Sequence, residues 1–194
     1  MRGIVGMCGT PGTGKKTIAP KVAALVGFQA ISINSLAPKA ASEVDTRQLR
    51  AELLKSRPSR VVLFGHLLPD VLRKDEAAFV AVLRCDPSVL RKRLGERGYP
   101  AAKVTANVEA ELIGVLLYEC VVQYGSQLVH EYDSTTSSPE AVAQAIGNDA
   151  KAALEGRLES ATRRPAAWID WTLGYDSPSK LRSLLGSSAP PAST

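Results

Sequence analysis

Short apolar segments alternate along this chain with longer segments whose apolar residues recur every three or four positions. The short segments are apolar throughout, without the alternation of apolar and polar residues typical of a sheet with one solvated face. We therefore predict an α/β fold in which a parallel five-stranded sheet carries helices on both faces. The predicted strands are Gly3–Cys8, Phe28–Ile33, Val61–Phe64, Phe79–Arg84 and Gln127–Tyr132.

The predicted helices occupy the intervals between these strands. Lys15–Val26 has one apolar face, and Pro20 in its second turn is expected to kink it. Two further helices begin with an N-cap residue followed by proline, one at Asp86 and one at Ser138, the second extending to about Leu154. The other predicted helices are Asp45–Lys55, one long helix over Ala101–Gln123, and a short helix over Ser177–Leu185.

The alternation of strands and helices stops near Leu154. We assign residues 1–154 to one domain and residues 155–194 to a C-terminal extension. Within the extension, Trp168-Ile169-Asp170-Trp171 is predicted to form an aromatic cluster packed on the domain surface. Ser187–Thr194 consists of Ser, Ala, Pro and Thr only, so disorder is expected there.

A phosphate-binding motif, Gly9-Thr10-Pro11-Gly12-Thr13-Gly14-Lys15, follows the first predicted strand and opens the first helix. Glycines at these positions let backbone N–H groups turn inward toward phosphates. Lys15 adds a positive charge, and so does the partial charge of the helix N-terminus. The spacing and the strand-to-helix context are those of a P-loop, which makes this the strongest functional signal in the sequence.

The position after the P-loop lysine departs from the usual motif, which places Ser or Thr there to hold Mg²⁺. Here Lys16 follows Lys15, and Thr17 comes next. A charged lysine cannot ligate a metal. We therefore expect the Lys16 backbone N–H to contact phosphates and Thr17 to contact the α-phosphate, while the Lys16 side chain faces either solvent or another phosphate.

The end of the strand Val61–Phe64 shows a second departure. P-loop enzymes usually place an acid there, near Mg²⁺, whereas this chain has Phe64. His66 follows two residues later and has two readings. It either orients a water or a phosphate, or it is structural, as lone histidines more often are.

Three arginines, Arg91, Arg93 and Arg97, lie near the end of a predicted helix and precede Gly98-Tyr99. They are either a solvated helix face or part of a lid. A lid would bring arginine charge to the transferring phosphoryl group and exclude water, so that ATP is not hydrolysed.

Composition narrows the class of protein further. The net charge of +5 is mild and suits phosphate binding or an RNA-rich partner. Aromatic residues make up only 5% and no RNA-binding motif occurs, so we expect no sequence-specific nucleic-acid binding.

No apolar run is long enough for a membrane span, and Met1–Cys8 does not look like a signal peptide. The cysteines Cys8, Cys85 and Cys120 show no metal spacing, which favours buried thiols in a reducing cytoplasm.

Five segments together resemble one family, adenylate kinase isoenzyme 6, also called coilin-interacting nuclear ATPase, with its archaeal adenylate kinase members. The resemblance covers roughly residues 3–150 and is most specific between Val82 and Glu111. The segments are Gly9–Lys15, Gly65-His66-Leu67, Val82–Asp86, Arg93–Tyr99 and Asn107–Glu111.

The resemblance implies a nucleoside-monophosphate kinase fold, with a monophosphate-binding segment near 33–53 and a lid near 96–106. It implies ATP + AMP ⇌ 2 ADP with accompanying ATPase activity, ATP and Mg²⁺ as cofactors, and AMP as the acceptor. It also implies a role in small ribosomal subunit maturation and rRNA processing, with ribosomal protein uS11 and the pre-small-subunit particle as partners. No side chain is assigned as a metal ligand. The implied catalytic residues are Lys15, His66 and Arg97, and the implied ATP-binding residues are Gly12, Gly14, Lys15, Lys16, Thr17 and Arg97.

Lys16 and Phe64 keep one alternative open, because the family has Thr and Asp or Glu at these Mg²⁺-linked positions. That alternative is a nucleotide-gated binding protein with weak or lost catalysis. A second alternative is a kinase of the same fold that phosphorylates another nucleotide or a metabolite, which a panel of acceptors would distinguish.

Overall fold

The computed structural model describes residues 3–37, 45–56, 59–157 and 168–186. Its sheet has five strands in the order β2-β3-β1-β4-β5, and every neighbouring pair is parallel. The predicted α/β class is therefore confirmed. The strands are β1 (Ile4–Gly9), β2 (Gln29–Ser32), β3 (Val61–Phe64), β4 (Ala77–Arg84) and β5 (Val129–Asp133).

Helices cover both faces of the sheet. Along β1, Val5 and Met7 point into a core shared with the first and seventh helices, whereas Ile4 and Cys8 point into a core on the opposite face. This alternation is the two-residue period of a strand buried on both sides. The helices are α1 (Lys15–Val26), α2 (Thr46–Ser56), α3 (Leu68–Val71), α4 (Pro87–Glu96), α5 (Ala101–Leu112), α6 (Val115–Tyr124), α7 (Pro139–Leu154) and α8 (Pro178–Leu185).

The helix starts follow their predicted capping residues. The Asp86 carboxylate accepts hydrogen bonds from the backbone N–H groups of Ser88 and Val89 at the start of α4. The hydroxyl of Ser138 accepts one from Ala141 in α7. Each cap satisfies a first-turn N–H group that has no partner inside the helix.

The prediction of one helix over Ala101–Gln123 is wrong. The chain breaks between α5 and α6 at Gly114, whose φ of 68° lies in the left-handed region. Gly114 turns over the buried guanidinium of Arg84, which would lie 3.7 Å from a Cβ at this position. One Arg84 nitrogen donates to the Glu111 carbonyl at 3.1 Å and so caps the last turn of α5. The apolar pattern runs on through the break because both helices pack against buried apolar surface, so periodicity alone did not reveal it.

The described part of the C-terminal extension packs on α4 and α5. Leu184 of α8 is only 4% exposed and belongs to a third apolar cluster with Leu90, Leu94 and Val108. Trp171 lies against this cluster, which agrees with the predicted packing of the aromatic segment, while Trp168 remains 38% exposed. The predicted disorder of Ser187–Thr194 lies outside the described residues.

Within the part of the chain that the structure describes, no helix combines the length and the apolar character that a membrane span requires.

Candidate active site

The P-loop joins the end of β1 to the start of α1. Gly12 has a φ of 101° and Gly14, the N-cap of α1, has a φ of 99°, values that side-chain-bearing residues rarely adopt. A Cβ on Gly12 would also lie 2.6 Å from Leu90 Cδ1. Thr17 N–H already donates to Gly14 O at 2.9 Å, whereas the N–H groups of Lys15 and Lys16 precede any intrahelical acceptor. The loop therefore presents helix N–H groups and positive charge to one point.

The Lys15 ammonium lies against carbonyl oxygens of its own loop. It donates to Gly9 O and, at 2.9 Å, to Thr10 O. The pKa of Lys15 is lowered to about 8, and burial is the largest cause. Cys8 and Glu111 oppose this effect of burial, whereas the charges of Arg97 and Lys16 add to it. A phosphate would stabilise this ammonium in two ways, by replacing weak neutral acceptors and by supplying negative charge.

A cleft of about 850 Å³ opens over this loop. The residues that the family resemblance implies for the site all lie along it: Gly12, Gly14, Lys15, Lys16, Thr17, His66 and Arg97. Of the three arginines considered for a lid, only Arg97 lines the cleft, and the Arg93 guanidinium donates instead to the carbonyls of Ser134 and Thr135. The end of β3, the turn between α4 and α5, and the exposed side of α6 form its other walls. Strand ends that meet at the carboxyl edge of a parallel sheet are the usual place for ligands in such folds. The roles of these residues remain predictions.

His66 lies near the middle of the cleft and is half-buried. Burial lowers its pKa most, the charges of Lys15 and Lys103 lower it further, and Asp70 opposes them. The imidazole is therefore neutral at pH 7, with one nitrogen able to donate and the other to accept a hydrogen bond. Such a group can orient a water or an acceptor but adds no charge.

The proposed lid segment is a tight turn. Arg97 is exposed at the C-terminal end of α4, Gly98 follows with a φ of 70°, and α5 begins after Pro100. Lys103 lies 5.3 Å from the centre of the Tyr99 ring, and both residues line the cleft with Arg97. The turn and the start of α5 thus bring two cations, Arg97 and Lys103, to the cleft.

The proposed monophosphate segment is described only in part, because 38–44 lie outside the described residues. Asn34, in a 3₁₀ turn over Ile33–Leu36, lines the cleft. Arg50 of α2 does not point into it, because its guanidinium is held by Glu76 at 2.6 Å and 2.8 Å. The described residues of this segment therefore contribute an amide rather than a cation.

A buried ionic network ties the P-loop to the rest of the domain. Arg84 is 2% exposed and donates to Glu111 at 2.8 Å and to Glu131 at 2.6 Å. Glu111 also accepts the Thr10 hydroxyl of the P-loop at 2.6 Å and the Trp171 indole N–H at 3.3 Å. One buried carboxylate therefore connects the P-loop, α5 and the C-terminal extension.

Sequence reasoning missed this network and several residues of the cleft. Glu111 lies within the motif Asn107–Glu111, but its burial was not foreseen. Arg84 could have been flagged as a single charge at the end of an apolar strand. Asp70 and Glu119, two exposed acids that line the cleft, follow no local pattern that would reveal them.

This chain lacks the usual Mg²⁺-linked residues of a P-loop enzyme. The two positions that usually supply or orient such donors carry Lys16 and Phe64, and both line the cleft. Among residues 3–37, 45–56, 59–157 and 168–186, no group of three or more His, Cys, Asp or Glu is placed to hold a metal ion. Glu111 is already used by Arg84 and Thr10. The residues present do not fit the usual metal site.

Solved structures with this fold are P-loop kinases and related proteins. A gluconokinase from Sinorhizobium meliloti aligns over 80% of this chain and 95% of its own, with a TM-score of 0.57 and 17% identity. The YorR protein of Bacillus subtilis, solved with phosphorylated GDP, aligns over 78% of this chain and 98% of its own, with a TM-score of 0.58 and 17% identity. At this identity the likeness shows the fold alone, that of the P-loop kinases.

Sequence relatives define the family more narrowly. A family profile described as "AAA domain" matches residues 5–114. A protein of Pyrococcus furiosus named "Putative adenylate kinase" is 34% identical over 185 residues, which cover 89% of this chain and 93% of the relative. A protein of the same name from Natronomonas pharaonis is 35% identical over 151 residues, 73% of this chain and 86% of the relative. The chain belongs to this family of archaeal P-loop proteins, as the resemblance in its motifs predicted.

Proposed function

We propose that this protein is a nucleotide kinase that transfers the γ-phosphoryl group of ATP to AMP and yields two ADP. The observation that carries the proposal is the convergence of the P-loop, His66 and Arg97 on one cleft. The names of the archaeal relatives support adenylate as the nucleotide. Phosphoryl transfer depends on positioning and on charge stabilisation, and this cleft offers both.

Each residue has a distinct part in the proposed reaction. The N–H groups at the start of α1 and the Lys15 ammonium hold the β- and γ-phosphates of ATP. Arg97 offsets the charge that develops on the transferring phosphoryl group, as arginine does in other phosphoryl-transfer sites. His66, neutral at pH 7, orients the attacking phosphate oxygen of the acceptor. The turn that carries Arg97 and Tyr99 limits access of water and so suppresses hydrolysis.

The family resemblance implies Mg²⁺ together with ATP. Bound with ATP, this ion would neutralise negative charge on the phosphate oxygens and so favour cleavage of the P–O bond to the γ-phosphorus. Because Lys16 and Phe64 do not supply its usual donors, the residue roles proposed here involve ATP, AMP and the protein's own cations only.

The proposal is tested with purified protein, ATP and Mg²⁺, with and without AMP, by counting ADP and free phosphate separately. Two ADP per ATP, formed only with AMP, is the expected result. Lys15→Ala is the matched loss-of-site variant, and Lys21→Ala, on the same helix but in an ion pair with Glu140, is the control. Free phosphate that forms regardless of AMP would show an ATPase and refute the transferase.

A nucleotide-gated binding protein is the second candidate, favoured by Lys16 and Phe64. In this reading ATP binds but little phosphoryl transfer follows. The double variant Lys16→Thr/Phe64→Asp then gains turnover in the presence of Mg²⁺. A double variant that binds ATP without gaining rate counts against this account.

We also propose that the protein assists small ribosomal subunit maturation and rRNA processing in the cytoplasm, with ribosomal protein uS11 in the pre-small-subunit particle as partner. The support is the family resemblance, together with a net charge of +5 and an exposed apolar surface. That surface comprises Ile113 (68% exposed), Tyr118 (70%) and Leu173 (76%) around a shared groove. Exposed apolar patches of this kind favour protein contacts.

Binding of purified uS11 tests this partner. The wild-type chain should bind it, and Leu173→Glu should reduce binding while leaving ATP binding intact. Leu54→Glu, at another exposed apolar position 52% exposed, is the matched control. Equal loss with both variants would show that the groove is not the contact surface.

A further inference from the structure

Two residues that line the cleft, Lys16 and Phe64, differ in charge from the residues usual at these positions in P-loop enzymes. A hydroxyl-bearing residue is usual where Lys16 stands, and a carboxylate is usual where Phe64 stands. The first exchange adds one positive charge and the second removes one negative charge. Their sum is two positive charges, the charge of the Mg²⁺ ion that those positions usually serve.

The Lys16 side chain is available for this purpose. Lys16 is exposed at the second position of α1 and lines the cleft. Within the described residues, no hydrogen bond or ion pair engages its ammonium. Its charge acts on Lys15, whose pKa it helps to lower, so the two ammonium groups lie close enough to repel each other. A polyphosphate between them would attract both ammonium groups, and this attraction would outweigh their mutual repulsion.

Phe64 makes the position unfavourable for a hydrated metal. Its side chain is 8% exposed and forms the wall of the cleft at the end of β3. Mg²⁺ usually keeps several water ligands, and these need hydrogen-bond acceptors around them. A phenyl ring accepts only a weak hydrogen bond from water through its π face. It lowers the local dielectric constant, however, and so strengthens the attraction between an ammonium and a phosphate.

We propose that the Lys16 ammonium takes the place of Mg²⁺, so that this protein binds nucleoside triphosphate in its metal-free form. This inference rests on the proposed nucleotide-binding function of the cleft. Lys15 and Lys16 contact the phosphate oxygens from the start of α1, and the ammonium of Lys16 supplies up to three charge-assisted hydrogen bonds. Added Mg²⁺ then competes with Lys16 for the same oxygens and weakens binding.

The test measures ATP affinity by isothermal titration calorimetry, once in excess EDTA and once in excess Mg²⁺. The wild-type protein should bind ATP at least as tightly in EDTA as in Mg²⁺. Lys16→Thr should lose about tenfold or more of the affinity measured in EDTA, the value of a lost charge-assisted contact. The double variant Lys16→Thr/Phe64→Asp should bind tightly only with Mg²⁺. Lys21→Thr, outside the cleft on the same helix, should behave as wild type.

Metal content gives a second readout. The ATP complex of the wild-type protein, isolated by gel filtration in Mg²⁺ and analysed by mass spectrometry for metal, should contain ATP without bound Mg²⁺. Tighter ATP binding by the wild-type protein in Mg²⁺, or a metal ion in its complex, would overturn the inference and point to Asp70 or Thr17 as the missed donor. Absence of ATP binding in both conditions would instead refute the nucleotide function itself, so the two failures are distinguishable.

Discussion

The strongest stability prediction concerns the buried guanidinium of Arg84. Its side chain is 2% exposed and donates to two carboxylates that are equally buried, Glu111 at 2.8 Å and Glu131 at 2.6 Å. Arg84→Met keeps much of the volume but removes the cation that lies between the two acids. Glu131 then keeps the Ile169 N–H at 3.0 Å. Glu111 keeps the Thr10 hydroxyl at 2.6 Å, the Cys85 N–H at 3.1 Å and the Trp171 indole N–H at 3.3 Å. None of these neutral donors replaces a full positive charge.

The magnitude follows from the buried position. Removal of one partner from a buried ion pair costs about 3–5 kcal/mol, because the other charge stays buried without compensation. For a chain of this length each 1 kcal/mol lowers Tm by about 2–4 °C. We therefore expect a drop in Tm of about 6–20 °C at neutral pH.

The loss of stability in Arg84→Met should also depend on pH. Burial raises the pKa of Glu131 above its ordinary value, and Arg84 partly opposes this rise. An acid whose folded pKa is raised stabilises the fold below its unfolded pKa and loses that contribution as pH rises through the folded pKa. Without Arg84 the folded pKa rises further, so the deficit of the variant is smaller near pH 5 than near pH 8.

Thermal melts followed by circular dichroism at several pH values test the prediction. Lys55→Met is the control, because its ion pair with Glu52 is at the surface, with the side chains 71% and 43% exposed. Such pairs contribute about 0–1 kcal/mol, so its melt should shift by no more than a few degrees. A shift for Arg84→Met as small as that of the control, or one that does not change with pH, would refute the reasoning.

Three further predictions concern the P-loop and the extension. Because the pKa of Lys15 is about 8 in the free protein, ATP affinity should be constant below pH 8 and decline above it. Calorimetry at several pH values would measure this decline. An affinity that stays constant to higher pH would exclude Lys15 as a phosphate ligand. Gly12→Ala should abolish ATP binding, because the φ of 101° at Gly12 and the close approach of Leu90 leave no room for a Cβ. In the control variant Gly95→Ala, the added Cβ meets no atom within 4 Å, so Tm should rise slightly. Deletion from Trp168 onward should lower Tm by uncovering the apolar cluster of α4 and α5, and an unchanged melt would mean that the extension adds nothing to stability.

Local signals in the sequence were enough to place the five strands, most of the helices and the P-loop. The apolar strands, the N-caps at Asp86 and Ser138, and the P-loop from Gly9 to Lys15 each depend on residues within a few positions of one another. The capping hydrogen bonds confirm this, since they join residues two or three apart. Order along the chain then places the P-loop at the carboxyl end of a parallel strand.

The tertiary structure decided the rest. At the break, Gly114 adopts a left-handed conformation over the guanidinium of Arg84, which lies 30 positions earlier in the chain and caps α5. The periodicity of the apolar residues does not carry that information. The pairing of Arg84 with Glu111 and Glu131 joins residues 27 and 47 positions apart. Local propensities act between near neighbours, whereas buried charges find partners only when the sheet and helices are assembled. The sequence therefore determined the fold class and the phosphate loop, and only the assembled structure decided what surrounds that loop and which charges support it.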